Sequence, residues 1–293
     1  TEGTKIFMYY GNENASDASD VNATFVRVID GVVGAWHFDE GGGNIAHDTS
    51  GEGNDGTIYG ANWTDGKFGK ALSFDGVDDY AEVSDSPELR LVNGGTIVFW
   101  VKLATLSQPY NYSGVLRKWD NTNGWKVTYN NLAKKFAFER KNGGTANNID
   151  SNKTDWQANE WYCLAFVDDA DASKLYIYVN GELDNTKTRN IAIGEYTGSL
   201  RLSYDKYFNG TIDEVLIYNK ALSEEEISDL YNNYGYTTPN YPNKVLVRKY
   251  TEPEPVAIVG EEVTGIFTTT IANFLTIEKE IGANYILWKW SCT

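Results

Sequence analysis

The sequence of 293 residues is poor in cysteine, histidine and methionine, with two, two and one of each. Cys163 and Cys292 allow a single intramolecular pairing, so the chain has no disulfide framework. A metal site built on thiols is excluded for want of ligands, because His37 and His47 lie on other elements. Cysteine usage therefore does not decide the compartment, which must be argued from other features.

Positive charge is also scarce, since 25 basic residues stand against 41 acidic ones and the net charge is −16. Such a surface repels phosphate backbones and anionic lipid headgroups. We therefore expect neither a nucleic-acid partner nor attachment to a membrane surface. An acidic surface attracts divalent cations, although the same excess also serves simply to keep a secreted protein in solution.

No run of the sequence is apolar enough to span a membrane. The most apolar terminal run, 265–290, is interrupted by Glu278, Lys279 and Glu280, so we expect no membrane insertion. No signal peptide is visible and the chain starts at Thr1, which leads us to expect that an upstream segment has been removed. Sequons that allow N-glycosylation favour an extracellular or cell-surface location. They lie at Asn14, Asn22, Asn62, Asn111, Asn152 and Asn209.

Aromatic residues and glycine are abundant, with 20 Tyr, 9 Trp and 28 Gly. This mixture suits many strands joined by tight turns. Alternating runs supply the predicted strands, and turn signals separate nearly all of them. The runs are Ala71 to Val83, Thr96 to Lys102, Gly114 to Lys118, Trp125 to Tyr129, Lys135 to Arg140, Trp161 to Val167, Lys174 to Val179, Ser199 to Ser203 and Ile212 to Tyr218. The signals are Asp75-Gly76, Asn142-Gly143-Gly144, Asn180-Gly181 and Asn209-Gly210. The sequence therefore predicts an all-β fold, as one large sandwich or two ordinary domains.

One stretch, Asn209 to Tyr231, combines a turn, a strand and a helix. Residues Ile212 to Tyr218 are apolar on both faces, as in a strand buried between two layers. Ser223 predicts the helix start, because its hydroxyl can accept from the N–H of Glu226 while the Glu226 carboxylate accepts from the N–H of Ser223. The predicted helix carries one apolar stripe, formed by Ile227, Leu230 and Tyr231.

This stretch resembles the closing strand and helix of laminin-G-like, concanavalin-A-like domains found in bacterial and archaeal surface proteins. Earlier blocks match that family in order and approximate spacing. They are Val33 to Gly41, Asp48 to Thr57, Gly66 to Gly76, Thr96 to Lys102, Glu160-Trp161 and Tyr176 to Glu182. The resemblance covers about Val32 to Tyr231 and implies a two-sheet antiparallel jelly roll with one short C-terminal helix. It also implies a domain that often holds calcium, is often attached to carbohydrate-active or adhesive proteins, and is not itself catalytic in most members.

The chain ends are predicted to add further strands. Thr4 to Asn12 looks like the end of another surface-protein family, of uncharacterised role, whose last strand carries Tyr-Tyr-Gly-Asn. We therefore divide the chain into an N-terminal strand and linker (1–31), the jelly roll (32–234) and a C-terminal β-rich segment (235–293) that can pair with residues 4–10. In the alternative, the N-terminal strand inserts into the next subunit and the chains self-associate into polymers.

The calcium site implied by the resemblance is sought among carboxylates in turns and at strand ends, because hard cations take several oxygen ligands from loop-rich places. The first and last strands of a jelly roll are neighbours, which brings carboxylates at their ends towards each other. The expected Ca2+ ligands are Asp39, Glu40, Asp48, Asp75 and Asp213. In the alternative, Asp48, Asp75 and Asp213 merely accept hydrogen bonds from backbone N–H groups of their own turns.

A carbohydrate site needs aromatic rings that stack on sugar faces, flanked by planar polar groups. We expect the sugar-binding residues to be Trp119, Trp125, Tyr110, Tyr112 and Asn121, with Trp156, Tyr204, Asn123 and Asn130 as further candidates in or near loops. Trp36, Trp100 and Trp161 differ, because their strand positions mark them as core. For the loop aromatics, partial burial at a sheet edge is the alternative.

Catalysis is the minor alternative. Sandwich glycosidases place two carboxylates at alternate positions of one strand, and the sequence has no Glu-X-Asp-X-Glu pattern. Sandwich lyases need a Tyr or His base, yet both histidines lie away from the predicted central strands, and no nucleophile elbow occurs. We expect an extracellular, non-catalytic, lectin-like module that binds a glycan or a surface protein. The second expectation, from another class, is a structural subunit of a cell-surface layer or filament.

Overall fold

The computed structural model describes residue 29 and residues 31–120, 122–204 and 207–233, and elsewhere only the backbone of strands. The strands of these described parts are β1 (Lys5–Met8), β2 (Phe25–Val26), β3 (Val32–Trp36), β4 (Ile45–Ala46), β5 (Gly56–Tyr59), β6 (Asn62–Asp65), β7 (Lys70–Asp75), β8 (Tyr80–Val83), β9 (Gly95–Leu103), β10 (Tyr112–Trp119), β11 (Gly124–Asn130), β12 (Lys135–Asn142), β13 (Thr145–Asp150), β14 (Trp161–Asp169), β15 (Lys174–Val179), β16 (Glu182–Thr188), β17 (Leu200–Tyr204), β18 (Asn209–Tyr218), β19 (Val245–Leu246), β20 (Phe267–Ile271), β21 (Leu275–Gly282) and β22 (Tyr285–Ser291). A short 3-10 helix covers Pro87–Arg90, and an α-helix, α1, covers Glu224–Asn233.

The chain divides into two compact units, residues 21–249 and residues 1–20 with 250–293. The larger unit contains two antiparallel sheets. The front sheet has the order β13-β12-β11-β10-β17-β8-β5-β4, and the back sheet has the order β16-β15-β14-β9-β18-β7-β6, with β3 beside β18. The predicted two-sheet jelly-roll sandwich with one short helix is confirmed.

The main core lies between the two sheets. Its side chains come from alternate strand positions, which point to the same face. Phe138 of the front sheet lies 5.7 Å from Phe166 of the back sheet, measured between ring centroids. Trp36, Trp125 and Trp156 are among the largest fully buried side chains. Burial of this many aromatic rings supplies much of the apolar area removed from water.

Strand β18 is apolar on both faces because it separates two cores. Val215 and Ile217 point into the core between the sheets, whereas Leu216 and Tyr218 join a second apolar cluster on the outer face of the back sheet. Helix α1 covers that outer face with Ile227 and Leu230, and Tyr231 packs against the same cluster. The predicted apolar stripe is therefore the packing face of the helix.

The predicted capping box is present at the start of α1. Glu226 N–H donates to Ser223 Oγ at 3.2 Å, and Ser223 N–H donates to Glu226 Oε2 at 2.9 Å. Two backbone donors that lack a partner inside the helix are thereby satisfied. Lys220 adds an ion pair to Glu226 at 2.7 Å, which ties the start of the helix to the segment that follows β18.

Two of the predicted turn dipeptides behave differently. Asn180 and Gly181 have φ values of 52° and 80° and join β15 to β16, which confirms a hairpin turn with both central residues left-handed. The turn predicted at Asn209-Gly210 is wrong, because both residues lie in β18 and pair with β7. Gly210 is needed for close packing instead, since a Cβ there would lie 2.4 Å from the Lys102 carbonyl oxygen.

The smaller unit contains a four-stranded sheet in the order β1-β22-β21-β20. Strand β1 pairs with β22 in the antiparallel sense, with Lys5 opposite Ser291. In the larger unit, β2 and β19 form a short parallel pair. The boundaries 1–31, 32–234 and 235–293 and the strand-exchange polymer stay predictions.

Candidate functional site

The outer face of the front sheet is polar, in contrast to the covered face of the back sheet. Side chains of β10 to β13 alternate between the core and this outer face. Strand register places Gly114, Thr128, Ala137 and Asp150 side by side across these four strands. Gly114 has no side chain and those of Thr128 and Ala137 are small, so this row forms a depression in the sheet surface.

This depression is a groove with a volume of about 460 Å³. Four strands at a spacing of about 4.8 Å make its floor roughly 14 Å long, which suits a short chain of linked sugar rings. It is lined by Tyr112, Gly114, Lys126, Thr128, Asn130, Ala137, Glu139, Asn148, Asp150 and Tyr204. Side-chain amides, carboxylates, a hydroxyl and an ammonium together offer both donors and acceptors for sugar hydroxyl groups.

One long wall of the groove is a charged row parallel to the floor. Lys126, Glu139 and Asn148 lie side by side on β11, β12 and β13. The Lys126 ammonium lies 3.1 Å from Glu139 Oε1, and both side chains are about one-quarter exposed. This wall therefore presents fixed charges and an amide at defined positions.

The opposite wall contains Tyr112 and Asn130, which are cross-strand neighbours. Tyr112 is 49% exposed, so its ring face is available to a ligand. The Asn130 side-chain oxygen accepts hydrogen bonds from the N–H groups of Leu132 and Ala133, which fixes the amide at the end of β11. An exposed ring beside an oriented amide is an arrangement that can stack on a sugar and bond its hydroxyls.

The end of the groove at β17 is closed by Tyr204. Its ring lies over Gly114, where a Cβ would be 2.7 Å from two ring atoms and 2.6 Å from the Tyr204 carbonyl oxygen. Position 114 must therefore be glycine for the ring to occupy this place. The Arg117 guanidinium lies 4.8 Å from the centre of the same ring, in a cation–π contact.

The residues predicted to bind sugar are only partly brought together. Tyr112 lines the groove, and so do Tyr204 and Asn130 among the further candidates. Tyr110 is exposed but lies outside the groove lining, and Asn121 lies outside the described residues. Trp119 is half-buried, with the ammonium groups of Lys126 and Lys141 at 4.8 and 5.0 Å from its ring.

Trp125 requires a correction. It has no exposed surface, and its indole N–H donates to the Leu89 carbonyl oxygen at 3.1 Å inside the core. A fully buried ring cannot stack on a sugar. Trp156 is buried as well, with its N–H bonded to the Lys134 carbonyl oxygen, and it packs edge-on against Phe136.

Sequence reasoning missed most of the polar lining. Lys126 and Thr128 occupy alternate positions of β11, and Glu139 occupies an outward position of β12, both of which were predicted strands. Their shared face was the available signal. Asn148 and Asp150 had no such signal, because β13 is a polar edge strand that the sequence did not predict.

The predicted calcium ligands at the start of the jelly roll bind backbone groups. Asp48 accepts four hydrogen bonds, from the N–H groups of Ala35, Ser50 and Asn54 and from the Ser50 hydroxyl. Asp39 accepts from the N–H of Lys70 at 2.9 Å. The exposed Glu40 side chain accepts from His47 N–H at 2.7 Å. These carboxylates organise the loops around the first strand.

Asp213 and its neighbour Glu214 form a buried acidic pair on β18. One oxygen of Asp213 accepts from the N–H groups of Lys67 and Phe68, and Glu214 Oε2 lies 2.6 Å from His37 Nδ1. The other oxygen of each carboxyl has no hydrogen-bond partner in the described part of the chain. Burial raises the pKa of both groups well above the usual range.

Asp75 is the one predicted ligand that lies in a cluster of carboxylates. Its side chain and those of Asp78 and Asp79 bring their oxygens within 4.8 Å of one another, the only group of this kind in the described residues. Asp75 also accepts from the N–H of Val77 at 2.7 Å, and Asp79 accepts from the N–H of Asp75. The turn that holds them connects β7 of the back sheet to β8 of the front sheet.

The remaining predicted positions lie on the surface or in the back sheet. Of the sequon asparagines, Asn62, Asn111 and Asn152 are exposed, Asn209 is half-buried, and Asn14 and Asn22 lie outside the described residues. The Cys163 thiol is free and buried, and burial raises its pKa to about 12. Cys292 lies outside the described residues. Neither helix of the described chain has the length and apolar character of a membrane span.

The family comparison decides the assignment. Residues 75–228, just over half of the chain, match the model of the concanavalin A-like lectin/glucanases superfamily. The chain belongs to this superfamily. No curated protein sequence matches it significantly.

Solved structures share the superfamily fold. The binding domain of botulinum neurotoxin serotype D has a TM-score of 0.58 and 15% identity over 69% of this chain and 51% of that one. Domain 4 of AbnA, an extracellular arabinanase of Geobacillus stearothermophilus in complex with arabinotriose, has a TM-score of 0.56 and 22% identity over 69% and 98%. The binding domain of Paraclostridial mosquitocidal protein 1 has a TM-score of 0.60 and 13% identity over 90% and 92%. This chain therefore spans about half of the neurotoxin domains and nearly all of the other two.

The superfamily match separates the candidate residues into two groups. All groove residues, from Tyr112 to Tyr204, fall inside the matched region, as do Asp75 and Asp213. Asp39, Glu40 and Asp48 precede it. The groove is thus part of the superfamily sandwich itself.

Proposed function

We propose that this chain is an extracellular, non-catalytic, lectin-like module that binds a glycan in the groove on the outer face of the front sheet. The observation that carries the proposal is the groove itself, in which the exposed Tyr112 ring stands beside Asn130 on one wall and faces Asn148 on the other, across a floor of small residues. A sugar-binding site requires an apolar ring face together with hydrogen-bond donors and acceptors that converge on the ligand. Two kinds of neighbour support it: toxin binding domains, and an arabinanase domain in complex with arabinotriose.

The test is binding of soluble polysaccharides by the whole chain, measured by affinity electrophoresis and calorimetry. Tyr112→Ala removes the exposed ring, and we expect about tenfold weaker binding, since one ring contact contributes roughly 0.5 to 1.5 kcal/mol beyond its buried area. Tyr59→Ala is the matched control, because Tyr59 is an exposed tyrosine on the same sheet outside the groove. Equal affinities for both variants and the unchanged chain would contradict the proposal.

The non-catalytic part of the proposal is checked on the same samples. We expect no release of reducing ends and no unsaturated products after prolonged incubation with every polysaccharide that binds. Turnover that disappears in Glu139→Gln would replace the binding module by an enzyme, because Glu139 is a carboxylate of the groove wall.

We propose in addition that the sandwich holds one structural calcium ion, with Asp75 as a ligand. Asp78 and Asp79 are the neighbouring carboxylates that support this choice. Carboxylates so close together repel one another, and a hard divalent cation would turn that repulsion into attraction.

A further inference from the structure

The two ends of the groove on the front sheet differ. At one end the Tyr204 ring covers Gly114 of β10. At the other end the groove is lined by Asn148 and Asp150 of β13, which is the edge strand of the sheet, and both side chains are exposed. A linear ligand that lies along the floor can therefore leave the groove over β13, whereas its path over β17 is blocked.

The closed end depends on an uncommon backbone conformation. Ser203 has a φ value of 54°, in the left-handed region that residues with a side chain rarely adopt. Its hydroxyl oxygen accepts a hydrogen bond from Phe208 N–H at 3.1 Å, which holds the turn. The regular pairing of β17 with β10 ends one residue earlier, at Leu202, so the turn at Ser203 directs Tyr204 over the floor. Strained residues of this kind cluster at ligand sites.

Neighbouring groups hold the Tyr204 ring in place. The Arg117 guanidinium of β10 lies 4.8 Å from the ring centre. Tyr207 forms a parallel bridge with Gly114, so the chain that follows the ring returns beside the same strand position. The Tyr204 side chain is only 7% exposed. Because it packs on several sides, the ring forms a fixed wall at this end of the groove.

The closed end also offers the aromatic contacts of the groove. Tyr112 and Gly114 are two residues apart on β10 and share its outer face, so the exposed Tyr112 ring lies at the same end as Tyr204. Thr128, opposite Gly114, adds a hydroxyl group. A sugar ring at this end meets two aromatic rings and a hydroxyl. The rings that follow it towards β13 meet amide and carboxylate groups.

We infer that the groove receives the end of a glycan chain, with the terminal sugar ring against Tyr204 and the following rings directed over β13. The inference rests on the proposed function and deepens it, because it distinguishes a chain end from an internal segment as the ligand. An internal segment continues on both sides of the bound rings, and Tyr204 occupies one of those sides. Reducing and non-reducing ends share the required chemistry, since each presents a ring with a single linkage.

The experiment counts chain ends. The unchanged chain is titrated by calorimetry with soluble polysaccharides, among them dextran, mannan and arabinan, each intact and after mild acid hydrolysis to shorter chains of the same composition. We expect the number of binding sites per gram of polysaccharide to rise by the same factor as the number of chain ends. Borohydride opens the reducing-end ring alone, so loss of binding after this treatment identifies the reducing end, and unchanged binding identifies the non-reducing end.

Variants locate the closed end. Tyr204→Ala should weaken the binding of chain ends about tenfold, the loss expected for one ring contact, and should abolish the dependence on chain ends. Tyr204→Phe keeps the ring and should bind like the unchanged chain. Tyr80→Ala is the matched control, because Tyr80 lies on β8 of the same sheet, outside the groove lining, with the Arg201 guanidinium 5.2 Å from its ring. The titration of the unchanged chain decides the inference even where Tyr204→Ala does not fold.

Two results would overturn the inference in distinguishable ways. A number of binding sites per gram that hydrolysis leaves unchanged refutes the recognition of chain ends and leaves the lectin-like function intact. No binding to any polysaccharide refutes the proposed function, and the inference with it.

Discussion

The outer faces of the two sheets have opposite characters. On the back sheet, Trp100, Leu216 and Tyr218 are buried beneath helix α1 with Ile227 and Leu230. On the front sheet, the outward positions of β10 to β13 carry amides, charges and exposed rings around a groove. The second face of a sheet in this fold can therefore be either buried beneath another element or left open with polar side chains. The sequence of each strand indicates which of the two applies.

The difference follows from strand periodicity. Strands β9 and β14 are buried along almost their whole length, so both faces are apolar. In β11 the buried positions alternate with partly exposed ones. A continuous apolar run indicates a strand covered on both sides, and a strict alternation indicates one open face.

The largest expected effect contrasts two tryptophans on these two faces. Trp100→Ala empties a site packed between Phe68 and Tyr231, at ring distances of 5.6 Å, and should lower the free energy of unfolding by about 3 to 5 kcal/mol. Trp119→Ala removes a half-buried ring with two cation–π contacts and should cost about 1 to 2 kcal/mol. Urea denaturation followed by circular dichroism measures both. Equal losses would show that the two outer faces contribute alike to stability.

The next effect concerns the buried carboxyls Asp213 and Glu214 of the back sheet. Burial raises the pKa of both carboxyls. The charge of Glu214 raises the pKa of Asp213 further, and the charge of Asp39 raises the pKa of Glu214 further. The unfolded chain releases these protons near pH 4, whereas the folded chain keeps them to a higher pH. The contribution of these two groups to the free energy of unfolding is therefore greatest below pH 4. It falls by about 1.4 kcal/mol per pH unit for each proton as the pH rises towards the folded pKa values.

The double variant Asp213→Asn, Glu214→Gln tests this sign. The groups that face Glu214 are His37, at 2.6 Å, and the carboxylate of Asp39. Those that face Asp213 are the backbone N–H groups of Lys67 and Phe68. The difference in unfolding free energy between the variant and the unchanged chain should grow in favour of the variant from pH 4 to pH 8. A difference for the double variant that stays constant with pH would show that the folded chain holds these two protons no more tightly than the unfolded chain does.

Calcium removal tests the turn that joins the two sheets. A metal that binds only the folded chain stabilises it by about 2.7 kcal/mol at a free concentration one hundred times its dissociation constant. We expect excess chelator to lower the melting temperature, and Asp75→Asn to reproduce most of that loss. Asp48→Asn should lower stability while leaving the chelator effect intact, because Asp48 binds backbone groups. An unchanged melting curve in chelator would remove the calcium site.

The sequence predicts the covered face better than the open one. The capping box of Ser223 and Glu226 and the apolar stripe of α1 depend on local spacing, and both are present. The groove depends on register between strands distant in sequence, which local patterns do not specify. Trp125 was predicted to bind sugar because it stands at the start of a strand, next to a loop, although Val127 and Tyr129 continue its alternation into the core.

The edge strands were missed for a related reason. Strand β13 ends the front sheet and β16 ends the back sheet, and both are largely exposed. Polar edge strands resist pairing with other chains, but they lack the apolar alternation by which strands are recognised. Because β13 was not predicted, its residues Asn148 and Asp150 were not recognised as part of the groove.

The smallest effect on stability is expected for a variant that fills the groove with a large side chain. Thr128 lies on the groove floor and points away from the core, so Thr128→Trp adds a large ring to the open face and leaves the packing between the sheets untouched. We expect the free energy of unfolding to change by no more than about 0.5 kcal/mol, as for other exposed substitutions.

Glycan binding should disappear in Thr128→Trp, because the added ring occupies the space of the sugar. Thr57→Trp is the matched control, since Thr57 lies on the same sheet at β5, outside the groove lining, and should retain binding. Urea denaturation and calorimetry with the bound polysaccharide measure the two quantities. Full affinity in Thr128→Trp would show that the glycan binds at another surface. A large loss of stability would show that the open face also contributes to the free energy of unfolding.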